Sequence, residues 1–591
     1  MGGPLVSFFG RTPRGASSVV TQGYASPCPV SAVPASATIS SEVGTRVTIQ
    51  APSAAIRTSG TWEPLQSPVF RALWIAVLFG NIGNWMETVG AQWLLVSQPG
   101  NSLLVALVQT ADTLPVVLLA LPAGVLADVF DRRLLLIATQ LFLAAVSATE
   151  SGLVVVGQMT PGLLLVLTFL GGAGSGVTAP AWQAMIPDLV PRDQIRGAAV
   201  LGSVSVNVGR AVGPALAGLL IAGLGVAPVF ALNAASFIAF AGVLLWAHLS
   251  RQDTPTKRER FLPALRAGGG YVRWSPFVRR VLIRAALFLL PATAIWALLP
   301  LVATETLHLD AAGYGLLLGA LGVGAIGGVL VLGSLRARFS DDRLIALASL
   351  AYAATMAVLV LVPLSATAVP ALIVAGMAWL TVLSTVNATL QTFLPGWVRA
   401  RGLAFYLIVL FGSQALGAAI WGLVAGRVGL TAAFVGAAVV MIGATLAGRR
   451  WQLPDVSGLD RSPAVIWPEA TLAFQPDADA GPVLVTATYT VPEASSAAFV
   501  TAMSDLERSR RRTGASDWQL YRDGADPQRF LEVFEVPSWD THLRQHGGRL
   551  TGADAAIEAR ADALAAGPAS VQHYFLVDDV PLGGNDQQDV S

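Results

Sequence analysis

Four ionisable side chains stand inside long apolar runs of this 591-residue chain: Glu87, Asp112, Glu150 and Arg210. A charge at the centre of a hydrocarbon layer costs about 2.5–3.5 kcal/mol on insertion scales, so such residues are functional candidates by default. Counted along their helices at about 1.5 Å per residue, Glu87, Asp112 and Arg210 fall at broadly similar depths, with Glu150 towards the far end of its own helix. Two chemistries are open to the first three. A carboxylate beside Arg210 would form a fixed ion pair, whereas one without a cationic partner is a candidate to bind and release a proton. Lining of a water-filled cavity is a third reading. Around them Asn84, Trp85, Gln92, Trp182, Gln183, Asn387, Gln391 and Gln414 spread amides and indoles over several helices. Such a set suits an amphipathic organic substrate, and serves equally well as hydrogen bonding between helices.

The elements that must hold these residues follow from composition. With 54% hydrophobic and only 12% charged residues, the chain is too apolar for a soluble globular protein, in which about a quarter of residues are charged. A formal net charge of +1 gives no clustered basic excess, so no nucleic-acid partner is expected. Cys28 is the single cysteine, which excludes an internal disulfide framework and a cysteine zinc cluster. Arginine far outnumbers lysine, with Lys257 alone, a bias that correlates with a bacterial source. Residues 1–61 show no sustained period and read as a disordered tail without a secretory signal peptide.

Apolar segments then follow, each near the roughly 20 residues a helix needs to cross a bilayer. They lie at about 70–97, 102–126, 134–156, 162–186, 197–223, 227–249, 280–303, 312–335, 344–364, 368–393, 402–424 and 430–448. Their connections fix an orientation, because arginine and lysine stay on the cytoplasmic side. Arg132 and Arg133, Arg192 and Arg196, Arg336 and Arg338, and Arg399 and Arg401 all follow even-numbered spans, and the long connection 251–279 is also basic. Both termini are therefore expected in the cytoplasm, with the spans in a bacterial inner membrane surrounded by its lipids. Gln183 and Pro187 recur as Gln391 and Pro395, while Gly213 and Gly218 recur as Gly417 and Gly422. Matches at nearly constant offset favour two related halves, 62–250 and 280–450, joined by the basic connection.

Beyond a linker at 451–482, residues 483–578 alternate as strand, helix, strand, strand, helix and strand, with a short disordered end at 579–591. That order predicts a small ferredoxin-like α+β domain with one long second helix over 539–566. Its open sheet face makes a homodimer through this domain a possible partner arrangement. His542 and His546 stand one helical turn apart and His573 lies on the last strand, but no acidic or cysteine ligand stands beside them, so no metal site is assigned. No phosphate-binding loop of the form GxxxxGK[ST] occurs and no cofactor is expected.

Two further motifs carry a resemblance. Gly124, Asp128, Arg132 and Arg133 form a loop after the second span that could latch one conformation of a rocking bundle, or set topology alone. Gly209, Gly213, Pro214 and Gly218 form a small-residue stripe in the fifth span that would admit a close neighbouring backbone. The first is similar to the loop signature of the major facilitator superfamily, although Val129 and Asp131 depart from it. The second resembles the fifth-helix signature of that superfamily's exporters. Phe70 to Trp74, Ala179 to Gln183, Pro187 to Asp193 and Ser538 to His546 resemble the subgroup that contains the bacterial enterobactin exporter. The resemblance implies the two-halved major facilitator fold and a proton-driven exporter of small molecules that is not an enzyme. A membrane-tethered enzyme or sensor acting through residues 483–578 is the alternative.

Overall fold

The computed structural model describes residues 60–96, 102–247, 261–452, 458–464, 467 and 472–577. It also describes a two-residue antiparallel pair, β1 (Ser36–Ala37) with β2 (Ile49–Gln50). The rest of the expected N-terminal tail and the end at 579–591 lie outside the described residues.

Among the described residues, twelve helices are long and apolar enough to cross a membrane. The first six are α1 (Pro68–Val96), α2 (Ser102–Val129), α3 (Arg132–Val155), α4 (Pro161–Leu189), α5 (Ile195–Leu224) and α6 (Ala227–Trp246). A shorter helix, α7 (Phe261–Trp274), precedes the second six: α8 (Pro276–Leu301), α9 (Ala311–Arg336), α10 (Asp341–Leu361), α11 (Ser365–Phe393), α12 (Gly396–Val428) and α13 (Leu430–Gly448). Helices are the expected solution, since they satisfy every backbone donor and acceptor internally where no water is available.

The packing is two-fold in pattern. α1 lies along α5 and α6, α2 along α4, and α3 along α4 and α6; α8 lies along α12 and α13, α9 along α11, and α10 along α11 and α13. The halves meet where α2 runs along α12 and, equivalently, where α9 runs along α5. The recurring glycines obey the same pattern. Gly213 faces the carbonyl of Ile82 on α1, and its counterpart Gly417 faces that of Leu290 on α8. Gly218 abuts Ala311 and Gly315 on α9, and its counterpart Gly422 abuts Leu103 and Ala106 on α2. Sequence repetition has become repetition of contacts.

The basic connection 251–279, whose sequence predicts a loop, contains the helix α7. Gly268-Gly269-Gly270 lowers the helix propensity of α7, yet tertiary contacts hold it. Tyr271 is buried with its ring edge-on to Trp397 of α12 at 5.7 Å, and Gly268 lies against the Arg401 side chain.

The C-terminal domain contains β3 (Val483–Thr490), α14 (Ser496–Thr513), β4 (Ser516–Arg522), β5 (Arg529–Val536), α15 (Trp539–Arg544), α16 (Gly552–Asp562) and β6 (Ser570–Tyr574). The sheet order β4-β5-β3-β6 is antiparallel throughout, the ferredoxin-like arrangement. Tyr489, Phe499, Met503, Leu506 and Phe530 fill the space between sheet and helices. The single helix expected over 539–566 is in fact broken. After α15 the chain passes through Gly548 at φ 148°, a conformation open to glycine, and Thr551 then caps α16 with Asp554 in a reciprocal capping box.

Burial pushes the Asp554 carboxyl up, but Arg512 and hydrogen bonds from Ser509 and Thr551 outweigh it and hold it below the ordinary range. This stabilisation is present above the unfolded-state value of about 3.9 and is lost as pH falls through the lower folded value. Asp554→Asn should cost the domain about 1–2 kcal/mol at neutral pH and flatten that acid limb. The measurement is the urea midpoint of tail proteolysis in the full-length protein, at pH 7 and below the unfolded-state value, near pH 3, with an acid protease.

The domain sits against the bundle end that carries the basic connections. The Trp397 indole N–H donates to the Arg549 carbonyl at 3.1 Å, the Arg549 guanidinium lies 5.0 Å from that indole, and Arg511 lies 4.7 Å from the Trp274 ring. Arg461 in the linker donates to the Thr392 carbonyl and covers Phe393.

Candidate functional site

The interior polar site forms where α1, α3 and α6 converge within the first half. Glu87 of α1 accepts a hydrogen bond from the Ser147 hydroxyl of α3 at 2.6 Å and another from the Asn233 amide of α6. Gly83, one turn earlier on α1, has no side chain to collide with Asn233, which is why the amide can reach across. The Asn233 side-chain oxygen also accepts from the Ser236 hydroxyl at 3.2 Å, and its amide donates to Asn84 at 3.5 Å. Glu150 of α3 is fully buried, and neither of its carboxylate oxygens has a hydrogen-bond partner. Glu150 and Asp112 are both electrostatic neighbours of Glu87. Three carboxyl groups from three helices therefore share one region of the first half.

Arg210 does not join them. Among the described residues it forms no ion pair with Glu87 or Asp112; its guanidinium lies 5.5 Å from the Trp85 ring, and its buried Nε has no hydrogen-bond partner. Similar depth on separate helices is not contact, because the angular position of each helix decides what a side chain meets. Glu150, by contrast, comes to the Glu87 site from the end of its helix. Its presence in an apolar run signalled it, but its partner could not be read from one sequence. Ser147 and Asn233 are the residues that sequence reasoning missed, since neither is charged and both suit ordinary helix packing.

Trp85 links the site to the junction of the halves. Its ring lies 5.6 Å from Trp296 of α8, which in turn lies 5.4 Å from Trp379 of α11. Gln92, a candidate for cavity lining or for bonding between helices, is buried and bonded across the junction. Its amide donates to the Trp296 carbonyl at 3.1 Å, and it accepts from the Tyr314 hydroxyl of α9. Thr110 of α2 donates across the other seam to the Ala415 carbonyl of α12 at 2.9 Å. These bonds and the Gly218 and Gly422 contacts all lie towards the bundle end opposite the basic connections.

The remaining candidates are dispersed. Trp182 packs edge-on against Phe240 at 5.8 Å inside the first half, and Gln183 is exposed. Gln391 bonds Asn387 one turn away on the same helix at 2.9 Å, and Gln414 bonds its own helix at the Leu410 carbonyl. The surroundings of Gly124 and the side chain of Asp128 lie outside the described residues. Arg132 donates to the Ala184 carbonyl at 2.9 Å and pairs with Asp188 at 3.1 Å, while Arg133 donates to the carbonyls of Leu244 and Leu245. Both arginines thus satisfy the C-terminal ends of α4 and α6, where helix dipoles favour cations. Asp131, a departure from the expected loop pattern, caps α3 by accepting from the backbone of Arg133 and Leu134. In the fifth-helix motif, Gly209 and Gly213 admit α1, whereas Pro214 and Gly218 meet α9 of the other half. One stripe serves both an interface within a half and one between halves.

The model of the transmembrane secretion effector family matches residues 59–580. The chain is 25% identical over 252 residues to the staphyloferrin A transporter of Staphylococcus aureus, covering 42% of this chain and 63% of that one. It is 25% identical to the multidrug efflux pump Tap of Mycolicibacterium fortuitum, over 62% of this chain and 91% of the relative. It is 26% identical to the enterobactin exporter EntS of Shigella boydii, over 60% and 85% respectively. The match to the staphyloferrin A transporter thus spans less than two thirds of that relative's length. Among solved structures, an inward-facing, occupied bacterial homologue of the lysosomal transporter Spinster aligns with a TM-score of 0.53 at 16% identity, covering 66% of this chain and 98% of that one. That likeness concerns the fold alone. With twelve spanning helices in two matching sets of six and a family match over most of its length, the chain belongs to the transmembrane secretion effector family of major facilitator transporters.

Proposed function

We propose that this transporter exports small organic molecules, siderophore-like or drug-like, across the bacterial inner membrane by alternating access coupled to proton antiport. One observation carries the reading. The two halves meet through pseudo-equivalent small-residue seams, α2 with α12 and α5 with α9, so that rocking one half against the other exchanges which end of the bundle is closed. The Glu87, Asp112 and Glu150 group, one buried and two half-buried, supports the proton, because carboxyl groups inside a membrane span without a cationic partner are candidates to exchange protons. Trp85 and Arg210 lie by a junction suited to an amphipathic, aromatic cargo, with Asn84 on the Asn233 side of α1. In this reading both termini are cytoplasmic, the basic connections face the cytoplasm, and Asp128, Arg132 and Arg133 work as the gate loop. The C-terminal domain adds a homodimer contact through the sheet face that carries Thr486, Val533 and Tyr574.

The test is reconstitution in proteoliposomes with an imposed pH gradient. A catecholate siderophore and a lipophilic cationic drug serve as probes. Gradient-driven accumulation that a protonophore collapses is the expected result. Movement of neither probe under any gradient, by protein that remains monodisperse, would count against the reading.

A further inference from the structure

The C-terminal domain gathers three histidines that the transport reading does not use. His542 on α15 and His546 one turn later present their Nε2 atoms 3.0 Å apart, and the His573 Nε2 lies 2.8 Å from that of His542. His573 reaches them because it pairs with Val485 in the sheet register, which turns its side chain to the helix-covered face. All three ligand atoms lie within 4.8 Å of one another. The sequence names the same three histidines but assigns no metal, because no acidic or cysteine ligand stands beside them; what it does not show is that His573, on a strand 27 residues beyond His546, comes within bonding distance of His542.

We propose that His542, His546 and His573 form a binding site for one divalent transition-metal ion of the imidazole-favouring kind, such as zinc. At a metal–nitrogen distance of about 2.0–2.1 Å, tetrahedral ligands stand roughly 3.3 Å apart, so the two edges at His542 need only a few tenths of an ångström of opening, while the His546–His573 edge, within 4.8 Å, has to close by at most about 1.5 Å. The His542 Nδ1 faces the Gln545 amide oxygen at 3.4 Å, the outer partner that directs the Nε2 lone pair towards the centre. Trp467 and Trp539 wall the cluster, with the Trp467 ring 4.8 Å from His546 and the Trp539 ring 5.3 Å from His542. His542 is buried, while His546 and His573 are half-buried, which leaves an approach for the ion and a free position for water.

The surrounding charge is favourable. Arg510, the nearby cation, is held by two carboxylates, Glu558 at 3.0 Å and Glu532 at 3.2 Å, so the group carries a net negative charge. Burial and mutual proximity push His542 down to about 3, burial and its neighbours push His546 down to about 4, and burial lowers His573. The imidazoles are thus neutral at physiological pH, the form that binds metal. A packing-only cluster would also be neutral, so binding itself must be measured.

Full-length protein without a histidine tag, stripped by chelator in detergent, is titrated with Co²⁺ and then with Zn²⁺. One Co²⁺ per chain is expected, with visible d–d absorption that Zn²⁺ displaces. His542→Gln, His546→Gln and His573→Gln should each weaken binding by more than the roughly 10–100-fold that loss of an outer-shell partner costs, whereas His308→Gln, outside the cluster, should not. His546→Cys should keep binding and add a thiolate-to-cobalt charge-transfer band, a signature that a merely structural histidine cannot yield. No saturable uptake at micromolar Co²⁺, or equal affinity in the triple glutamine variant, would overturn the site. Neither result depends on transport.

Discussion

Glu87→Gln should abolish transport driven by a pH gradient while leaving exchange of substrate across the membrane intact. Glutamine matches glutamate in size, so the contacts with Ser147 and Asn233 lose little volume. What is lost is the capacity to bind and release a proton. The expected fall in gradient-driven rate is about 100-fold or more, the scale on which removal of a proton-transferring group acts. Counterflow, in which unlabelled substrate inside draws labelled substrate in with no net proton movement, should fall by less than about threefold if binding and rocking persist. Glu150→Gln provides the comparison, because Glu150 is buried without a hydrogen-bond partner and is an electrostatic neighbour of Glu87. A shared proton predicts that either substitution uncouples. Wild-type gradient-driven rates in Glu87→Gln would remove Glu87 from the coupling assignment. Loss of counterflow in the same proportion would instead assign it to substrate binding or packing.

The second large effect is expected from Gly218→Val. A Cβ at this position would lie 2.6 Å from the Ala311 carbonyl oxygen and 3.0 Å from the Gly315 Cα, both backbone atoms of the opposing half that cannot swing aside. Overpacking of this kind costs about 1–3 kcal/mol, and here the cost falls only on the conformation in which α5 and α9 are closed. The equilibrium between conformations should therefore shift by roughly 5–150-fold towards separation of those helix ends, with a loss of transport. Spin labels at Leu224 and His308, both exposed beside this seam, would report a longer distance when Cys28 is replaced. Gly422→Val should do the same at the α2–α12 seam. Gly213→Val should not, because Gly213 meets Ile82 and Trp85 within its own half, so its penalty falls on stability in every conformation. Unchanged label distances and unchanged transport in Gly218→Val would refute the seam as a gate.

The two predictions use different parts of the first half. The carboxyl cluster joins α1, α2 and α3, with Asn233 of α6 bonded to Glu87, whereas the glycine stripe on α5 meets α1 on one side and α9 on the other. α1 is common to both and also carries Trp85 and Gln92 to the second half, which gives it the position from which protonation could bias closure. The C-terminal domain, by contrast, contacts the bundle through α7, Trp397 and Thr392 at the opposite end. The buried Arg510 pairs with Glu532 and Glu558 belong to that domain's own core.

The sequence by itself determined the number and length of the spans, because about 20 apolar residues cannot be accommodated otherwise in a chain this poor in charge. It also determined the two-fold relation of the halves, through glycines at constant offset, and the strand–helix order of the C-terminal domain, through its change of hydrophobic period. Tertiary structure alone decided the partners. A span that is apolar on every face carries no angular signal, so nothing in the sequence told whether Glu87 would meet Arg210 or Asn233, or whether Gln92 would line a cavity or lock a seam. α7 was hidden for a related reason, since glycine-rich basic sequence is helical there only because α12 and the C-terminal domain hold it. The three histidines converge because a strand register and a helix face coincide. One sequence period can place a residue on a face, but only the packing of two elements sets the distance between them.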